Sequence, residues 1–551
     1  MKKISLLFLI LVVLSITMII FYNFGLVFEN TFQVNETSFE TKKPTSGNTQ
    51  KNNYGFFCIE EDFVEDEDIS SLSLDDIREL NVKYARTLSR FFKWDAIEQE
   101  KGVYNFTKTD YIVGQASDAN VSLIVTFLPY ARWDQESVEG CCAIKEEKGR
   151  KSYMCTCNPQ NWTAYELFLR EIVERYDGDD DFGNYPISDS LKEKIKRNPV
   201  LFWEINNEPD GIDPSFGIKG FNGDVEDYFE QLKRSYEIIK DVCENCEVIV
   251  AAPTPEDPEG FYSELVSLGG SSYFDMYNFH TIRYYERPTD IFSGTDKPVI
   301  YTETGGGRGS EIAKQVLTLI GNNVSIACVS RSPLKDKYYS SLSKGVSENE
   351  FFESTLLYEN GSRTEQYLAL QKMATELKDF NSYKKIQTDG VAAYIFYFDY
   401  KDPVYVFYLD CNGVDSALFN PGLKKFSVED LFGEKKTLSQ PFEIQNGNVY
   451  FIQLAGKDAE PVNYGLVGEY NCRQSSKREK EHKEEDREKN EDQSQDNKKK
   501  NVTNQGICGD NYCTIEEANS NSCPQDCTNR FCGDGICDEM ETKELCPQDC
   551  S

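Results

Sequence analysis

Apolar residues in most of the chain form short runs separated by amphipathic segments. The pattern predicts eight strands, at "YGFFCI", "VKYARTL", "SLIVTFLPY", "PVLFWEINN", "EVIVAAPTP", "FDMYNFH", "PVIYTET" and "GVAAYIFYFDY". Helical spacing is clear in "WTAYELFLREIVERY" and "VEDYFEQLKRSYEIIKDV". Strands alternating with helices predict an α/β fold, here a closed (β/α)8 barrel over residues 54–401. An open doubly wound sheet is the alternative, but no glycine-rich phosphate loop follows the first strand.

Two regions change this pattern. Residues 310–360 form a long segment without clear periodicity, and no helix is evident after the eighth predicted strand. From residue 402 onwards, apolar positions alternate with period two, as in "PVYVFYLD" and "FEIQNGNVYFIQLAG". We therefore expect a small antiparallel β-sandwich domain over residues 402–470.

The amino terminus, "MKKISLLFLILVVLSITMIIFYNFG", has two lysines before an apolar run that is close to the ~20 residues needed to cross a bilayer. Residues 1–28 are predicted to be an uncleaved signal anchor, a transmembrane helix followed by a polar stalk over 29–53. A cleaved signal peptide is the alternative. Either interpretation places the rest of the chain outside the cytoplasm, at the membrane surface or secreted.

The carboxyl-terminal part contains a charged segment and a repeat. Residues 471–506 carry almost nothing apolar and are predicted to be a disordered linker, with a solvated single helix as the alternative. Residues 507–551 hold two copies of C-G-D-x-x-C…C-P-Q-D-C, for which we expect disulfides rather than zinc. The shared acids are candidates for calcium, although aspartate is also common in turns: Asp510, Asp526, Asp534 and Asp549. No other cofactor is expected.

Charge and cysteine content narrow the choice of partners. The chain has 59 Lys and Arg against 93 Asp and Glu, a formal net charge of -34, which argues against binding nucleic acid. Eighteen cysteines and several Asn-x-Ser/Thr sequons suit an extracellular glycoprotein with disulfide bonds. The cysteines at 141, 142, 155 and 157 are expected to pin a loop by disulfides, with a metal site as the alternative. The oligomeric state is not predicted.

Polar residues at the ends of the predicted strands are the candidates for chemistry. In a (β/α)8 barrel the carboxyl ends of all strands meet at one face, where active sites lie. Those ends carry Arg86 (second strand), Tyr130 and Trp133 (third), Asn207 and Glu208 (fourth), Asn278 and His280 (sixth), and Glu303 (seventh). Two carboxylates on opposite sides of one barrel mouth, Glu208 and Glu303, meet the chemical requirement for glycoside hydrolysis.

Strand-Asn-Glu-Pro, followed by "PVIYTETGGG" with Glu303, resembles glycoside hydrolases of clan A. The upstream segment "FFKWDAIEQEKGVYNFTKTDYIVGQASDANVSLIVTFLPYARW" strengthens the resemblance to the xylosidase/iduronidase-like, β-galactosidase-like and cellulase/xylanase-like members. The resemblance covers residues 54–400 and, more loosely, the domain that follows. It implies a retaining glycosidase of a β-linked glycan, working by double displacement.

The resemblance also implies a role for each matching residue. Glu208 would be the general acid/base and Glu303 the nucleophile, while Asn207 would hold the sugar 2-hydroxyl. Arg86 would keep Glu303 ionised, and His280 or Tyr284 would hydrogen-bond it. Aromatic Tyr130 and Trp133 are candidate platforms for the sugar; core packing is the alternative for Trp133, and a structural ion pair is the alternative for Arg86.

Three departures from the clan pattern leave the substrate open. Asn206 stands where the clan often has Trp, and His280-Thr281-Ile282 replaces the common His-x-Tyr. The eighth predicted strand offers Tyr394, Phe396 and Tyr397, and no Trp. A transglycosidase is a close variant of the expected function. A non-catalytic surface protein that binds glycan is the alternative from another class.

Overall fold

The computed structural model describes residues 50–468 of the 551-residue chain, with gaps at 52, 65–71, 88–89, 148–149, 214–217, 255–256, 282–296, 306–308, 331–355, 359, 389, 412, 440, 457–460 and 462–463. Predictions for the anchor, most of the stalk, the charged linker and the cysteine repeats, including their calcium site, lie outside the described residues.

The prediction of a transmembrane helix is corrected. Among the helices that the structure describes, none is long and apolar enough to cross a membrane. The apolar run on which the prediction rested belongs to residues 1–28, outside the described part. We therefore retain neither the membrane-spanning helix nor the membrane as a partner.

Eight parallel strands form the barrel that the sequence predicts. They are β1 (Phe57–Glu60), β2 (Tyr84–Thr87), β3 (Ser122–Phe127), β4 (Phe202–Ile205), β5 (Glu247–Val250), β6 (Tyr277–Thr281), β7 (Val299–Thr304) and β8 (Ile326–Val329). Their hydrogen-bonded order is β5-β4-β3-β2-β1-β8-β7-β6. A parallel bridge between Ile249 and Met276 joins β5 to the start of β6 and completes the ring.

Helices alternate with these strands around the barrel. They are α1 (Leu74–Leu80), α2 (Trp94–Ile97), α3 (Thr107–Ala119), α4 (Arg132–Gln135), α5 (Trp162–Tyr176), α6 (Asp189–Arg197), α7 (Val225–Val242), α8 (Pro258–Ser267), α9 (Gly309–Gly321) and α10 (Glu365–Leu377). Helix α7 begins at a capping box between Asp224 and Asp227. Helix α10 packs on both α9 and α1, so the ring of helices closes where β8 meets β1.

The interior of the barrel has an apolar layer below a polar one. The apolar layer consists of Cys58, Tyr84, Ile124, Phe202, Ile249, Met276, Ile300, Ile326 and Cys328. Side chains two positions apart on a strand point to the same side. The residues two positions further along β1, β2, β3, β4, β6 and β7 are Glu60, Arg86, Thr126, Glu204, Asn278 and Thr302, all nearly inaccessible to solvent. The alternation therefore places this polar layer directly under the mouth of the barrel.

The eighth strand is not the one predicted. Strand β8 comes from the segment 310–360 in which no periodicity was evident, and helix α9 precedes it in the same region. The segment Val391–Tyr397, taken as the eighth strand, pairs antiparallel with both of its neighbours in another sheet. Its aromatic residues are therefore not at the barrel mouth. The longer apolar run at 391–397 fits a barrel strand and a sandwich strand equally well, because periodicity alone does not identify the partner strand.

A β-sandwich follows the barrel, as predicted, although its first strands precede residue 402. Its strands are β9 (Ser382–Thr388), β10 (Val391–Tyr397), β11 (Val404–Leu409), β12 (Ser416–Asn420), β13 (Phe426–Asp430), β14 (Lys435–Leu438), β15 (Phe442–Gln445), β16 (Tyr450–Gln453) and β17 (Gly465–Leu466). One sheet has the order β9-β10-β11-β16-β13-β14, with Gln50–Lys51 on its edge, and the other β15-β12-β17. Phe407 and Phe419 meet between the sheets with ring centroids 4.7 Å apart.

Four disulfides join described residues to one another, and Cys411 is disulfide-bonded as well. The predicted loop is pinned by Cys141–Cys157 and Cys142–Cys155, which clamp the hairpin of Cys142–Glu147 and Arg150–Cys155, so these cysteines do not form a metal site. Cys243–Cys246 closes a tight turn after α7. Cys58–Cys328, which joins β1 to β8, was not predicted.

The Cys58–Cys328 bond should contribute more stability than the short Cys243–Cys246 bond. The first spans 270 residues and the second 3, so the first restricts the unfolded chain far more. Replacing Cys58 and Cys328 by alanine should lower the free energy of unfolding by about 3–5 kcal/mol, and the matched Cys243→Ala/Cys246→Ala change by about 1.5 kcal/mol or less. Urea unfolding measures both, and equal losses would contradict this account.

Candidate active site

Arg86 is the centre of the polar layer. Its guanidinium group is 1% exposed and donates hydrogen bonds to three carboxyl groups. Nε and Nη2 bind the two oxygens of Glu204 at 2.8 and 3.1 Å, and Nη1 binds Glu60 at 2.8 Å and Glu303 at 2.7 Å. Nη2 also donates to Oδ1 of Asn207 at 2.6 Å. One buried cation therefore orients residues from β1, β4 and β7 together.

Glu204 accepts hydrogen bonds from several other members of this polar layer. Its fully buried carboxylate accepts hydrogen bonds from Thr126 Oγ1 at 2.5 Å, Asn278 Nδ2 at 2.7 Å and Thr302 Oγ1 at 3.1 Å, besides those from Arg86. A buried carboxylate is tolerated when every oxygen has such partners. These contacts assign Glu204 to structural support of the site.

Irregular pairing of β7 with its two neighbouring strands directs the side chain of Glu303 toward the mouth of the barrel. The registers of β6 with β7 and of β7 with β8 both shift before the end of β7, so that His280 pairs with Glu303. A bulge of this kind re-aims a side chain. Thr302 contacts the buried layer while its neighbour Glu303 reaches Arg86 and stays 22% exposed.

Glu208 is held by a strained turn after β4. Asn206 has φ of 75° and Glu208 has φ of 42°, values that non-glycine residues rarely adopt. The backbone N–H of Glu208 donates to Ala252 O at 3.1 Å, and Gly211 N–H donates back to Glu208 O at 2.9 Å. Strain of this kind persists where surrounding contacts enforce it, and it is frequent at functional sites.

Asn206 accounts for the first departure from the clan pattern. It is fully buried, and its Nδ2 donates to Tyr130 Oη at 2.6 Å and to Gln231 Oε1 at 2.9 Å. Its Oδ1 accepts from the backbone N–H of Asn207 at 2.8 Å. Asparagine tolerates left-handed backbone better than most residues. Asn206 therefore shapes the turn that presents Asn207 and Glu208, and it offers nothing to a ligand.

His280 bonds Glu208 rather than Glu303. Its Nδ1 lies 2.9 Å from Glu208 Oε1 and its Nε2 lies 3.0 Å from Thr302 Oγ1. The nearest oxygen of Glu303 is 3.7 Å from Nε2, beyond hydrogen-bond range. The expected hydrogen bond to Glu303 is thus replaced by an electrostatic contact, and His280 connects the two acids.

Glu208 and Glu303 approach each other across the mouth. One side-chain oxygen of each, together with a ring nitrogen of His280, lie within 4.8 Å of one another. Both side chains reach solvent, at 33% exposed for Glu208 and 22% for Glu303. Two carboxyl groups at this short range can flank a bond of a substrate, but they leave little room for an additional water molecule.

Charge in the site favours an ionised Glu303. Burial opposes its ionisation, but the His280 ring and the Arg86 guanidinium outweigh that effect and hold the pKa of Glu303 below its usual range. Burial also disfavours a charged His280, yet Glu303 and the hydrogen bond to Glu208 together raise the pKa of His280. Burial and the Glu303 carboxylate raise the pKa of Glu60 to about 8.

Two groups in the described residues have the spacing of metal ligands. One is Glu208, His280 and Glu303; the other is Glu174, Asp177 and Asp179 at the end of α5. In the first group, Glu303 already accepts a hydrogen bond from Arg86 at 2.7 Å. A metal ion there would face a guanidinium charge beside its ligand, so this group suits acid–base chemistry better than metal binding.

Both aromatic candidates have hydrogen-bond or packing partners within the protein. Tyr130 is 3% exposed, and its hydroxyl is engaged with Asn206 and with Gly220 O at 3.2 Å. Its ring is therefore not available to a sugar. Trp133 is half-buried; its Nε1 donates to Glu98 O at 2.7 Å and its ring packs on the edge of Trp94 at 5.0 Å. Tyr284 lies outside the described residues.

Glu60 is the member of the site that sequence reasoning missed. It is the last residue of β1, in "GFFCIE", and therefore stands at a strand end like the other candidates. The sequence feature that could have identified Glu60 is an acidic residue at the end of an apolar run. Thr126 and Thr302 gave none, because threonine is ordinary within strands.

Comparisons with known proteins agree on the fold. No protein-family model matches the chain, and no curated protein matches its sequence. Among solved structures, a family 39 glycoside hydrolase from the gut symbiont Bacteroides cellulosilyticus WH2 matches with a TM-score of 0.51 and 15% identity, over 72% of this chain and 80% of that one. A monomeric beta-xylosidase from Caulobacter crescentus CB15 matches with a TM-score of 0.50 and 13% identity, over 74% and 97%.

These similarities establish the architecture. At such identities they show a shared (β/α)8 barrel fold, and the two similar structures are glycoside hydrolases. A shared fold does not fix the reaction, which depends on the side chains at the site.

Asn206 should be required mainly for the shape of its turn. Asn206→Ala should lower the free energy of unfolding by about 2–3 kcal/mol, because alanine leaves Tyr130 and Gln231 without their partner and resists positive φ. Asn206→Gly loses the same hydrogen bonds but accepts the backbone, so it should cost about 1 kcal/mol less. Denaturant unfolding compares the variants; equal losses would mean that the backbone conformation contributes nothing.

Proposed function

We propose that this chain is an extracellular glycosidase that cleaves a β-linked oligo- or polysaccharide with retention of configuration. The observation that carries the proposal is that one side-chain oxygen of Glu208 and one of Glu303 lie within 4.8 Å of each other at the barrel mouth. Retaining glycosidases need two carboxyl groups at about 5–5.5 Å, whereas inverting enzymes hold them farther apart for a water molecule.

Glu303 is the proposed nucleophile. Arg86 and His280 lower its pKa, so the ionised form is available to attack the anomeric carbon. Glu208 is the proposed acid/base, which first donates a proton to the leaving oxygen and then activates water. Asn207 accepts from Arg86 through Oδ1, which leaves its amide NH2 group to bind the sugar 2-hydroxyl.

The proposed extracellular location and the proposed substrate class are supported by different observations. The disulfides Cys58–Cys328, Cys141–Cys157, Cys142–Cys155 and Cys243–Cys246 suit an oxidising compartment outside the cytoplasm. One of the similar structures is a beta-xylosidase, which supports a β-linked sugar substrate. No cofactor is needed in this mechanism.

A panel of aryl glycosides and β-linked polysaccharides tests the proposal. Glu303→Gln should abolish turnover, because no covalent intermediate can form. Glu208→Gln should slow the cleavage of natural linkages by about 10²–10⁴-fold, and less for aryl groups that leave without a proton. Both variants should remain folded by circular dichroism. If wild type binds a glycan but cleaves none, the chain is a non-catalytic binding protein.

Azide separates the two roles. It should restore activity to Glu208→Ala and give a glycosyl azide of retained configuration, because it attacks the intermediate on Glu303. In Glu303→Ala it should give the inverted product, since it replaces the nucleophile itself. The reverse stereochemistry would exchange the two assignments. Product analysis with an added sugar acceptor distinguishes hydrolysis from transglycosylation.

A further inference from the structure

Glu60 lies in the site, but the proposed reaction gives it no role. It is 6% exposed at the end of β1, and it contacts the same guanidinium nitrogen as Glu303. Nη1 of Arg86 lies 2.8 Å from Glu60 Oε1 and 2.7 Å from Glu303 Oε1. An Nη atom carries two N–H bonds, so each acid takes one of them.

The charges around this nitrogen do not balance if every acid is ionised. Arg86 carries one positive charge and contacts Glu60, Glu204 and Glu303. Glu204 is fully buried and accepts from four side chains, so its negative charge is well compensated. A third ionised acid would compete with Glu303 for the remaining interaction with Arg86.

Three charged or titratable side chains on β2, β6 and β7 act on the ionisation of Glu60. Arg86 on β2 favours its ionisation, as does His280 on β6, while Glu303 on β7 opposes it. Burial is the largest effect, and the pKa of Glu60 is raised to about 8. Glu60 is therefore neutral through the acid and neutral range and ionises near pH 8.

We propose that Glu60 is a positioning residue for Glu303: its neutral carboxyl group leaves the charge of Arg86 to Glu303, and its ionised form draws Arg86 away. This inference rests on the proposed function for its effect on catalysis. The Glu60 carboxyl group does not touch the substrate in this account. It acts through Arg86, which also orients Asn207.

A glutamine at position 60 should reproduce the neutral form at every pH. Its amide oxygen accepts from Nη1 as the neutral carboxyl oxygen does, but it cannot ionise. The matched control is Glu61→Gln. Glu61 is equally buried and its pKa is also raised to about 8 by burial, but its oxygens accept from the backbone N–H groups of Phe63 and Leu72.

The first measurement is the pH profile of kcat/KM on an aryl glycoside whose leaving group needs no proton from Glu208. Wild type should lose about tenfold in kcat/KM from pH 7 to pH 9, following the ionisation of Glu60. Glu60→Gln should keep its activity over that range, and Glu61→Gln should behave like wild type. A Glu60→Gln profile with the same alkaline fall as wild type would overturn the proposal.

The second measurement does not depend on catalysis. A buried acid with a raised pKa binds a proton in the fold that the unfolded chain releases, so its contribution to stability falls as pH rises from about 4.5 to about 8. Glu60→Gln should therefore raise the midpoint of thermal unfolding most at pH 8–9. That gain should shrink in the Glu303→Gln background, because Glu303 opposes the ionisation of Glu60.

The two measurements fail in different ways. If no glycoside is cleaved by wild type, the proposed function fails, while the unfolding cycle still decides whether Glu60 and Glu303 are coupled. An equal gain from Glu60→Gln with and without Glu303 would overturn the inference, whatever the activity. Glu61→Gln should change the unfolding midpoint by the same amount in both backgrounds, since the Glu61 carboxyl group is held by the backbone N–H groups of Phe63 and Leu72 and not by the guanidinium group of Arg86.

Discussion

The site depends on one buried guanidinium group surrounded by acids. Burying a charge without partners costs several kcal/mol, so Arg86 must keep its carboxyl contacts and the acids must keep theirs. Glu60, Glu204 and Glu303 come from three different strands, and each is held by the same side chain. Any change in strand register would break this set of contacts. The register shift in β7 places Glu303 within hydrogen-bond distance of Arg86.

Much of the barrel could be predicted from the sequence. Strands buried on both faces give continuous apolar runs, and seven of these runs correspond to β1–β7 in the structure. The eighth was missed because "IACV" lies in the segment 310–360, where no periodicity was evident, and the longer run at 391–397, which belongs to the sandwich, was taken in its place. Apolar runs record burial and do not record the partner strand.

The candidate site was predicted in part. The positions of Arg86, Asn207, Glu208 and Glu303 follow from the rule that strand ends meet at one face. The partner of His280 could not be predicted, because it depends on a bulge between β6 and β7. Nor could the burial of Tyr130, whose hydroxyl contacts a residue 76 positions away. Such contacts depend on tertiary packing rather than on spacing along the chain.

The Cys58–Cys328 bond also constrains the order in which the chain can fold. It joins the first barrel strand to the last, across 270 residues of sequence. During synthesis from the amino terminus, Cys58 emerges long before its partner exists, and the intervening cysteines appear first. Cys58 must remain unpaired until β8 has been made and the ring can close. Formation of this bond therefore marks the completion of the barrel, and an early pairing of Cys58 with another thiol would trap the chain in an open form.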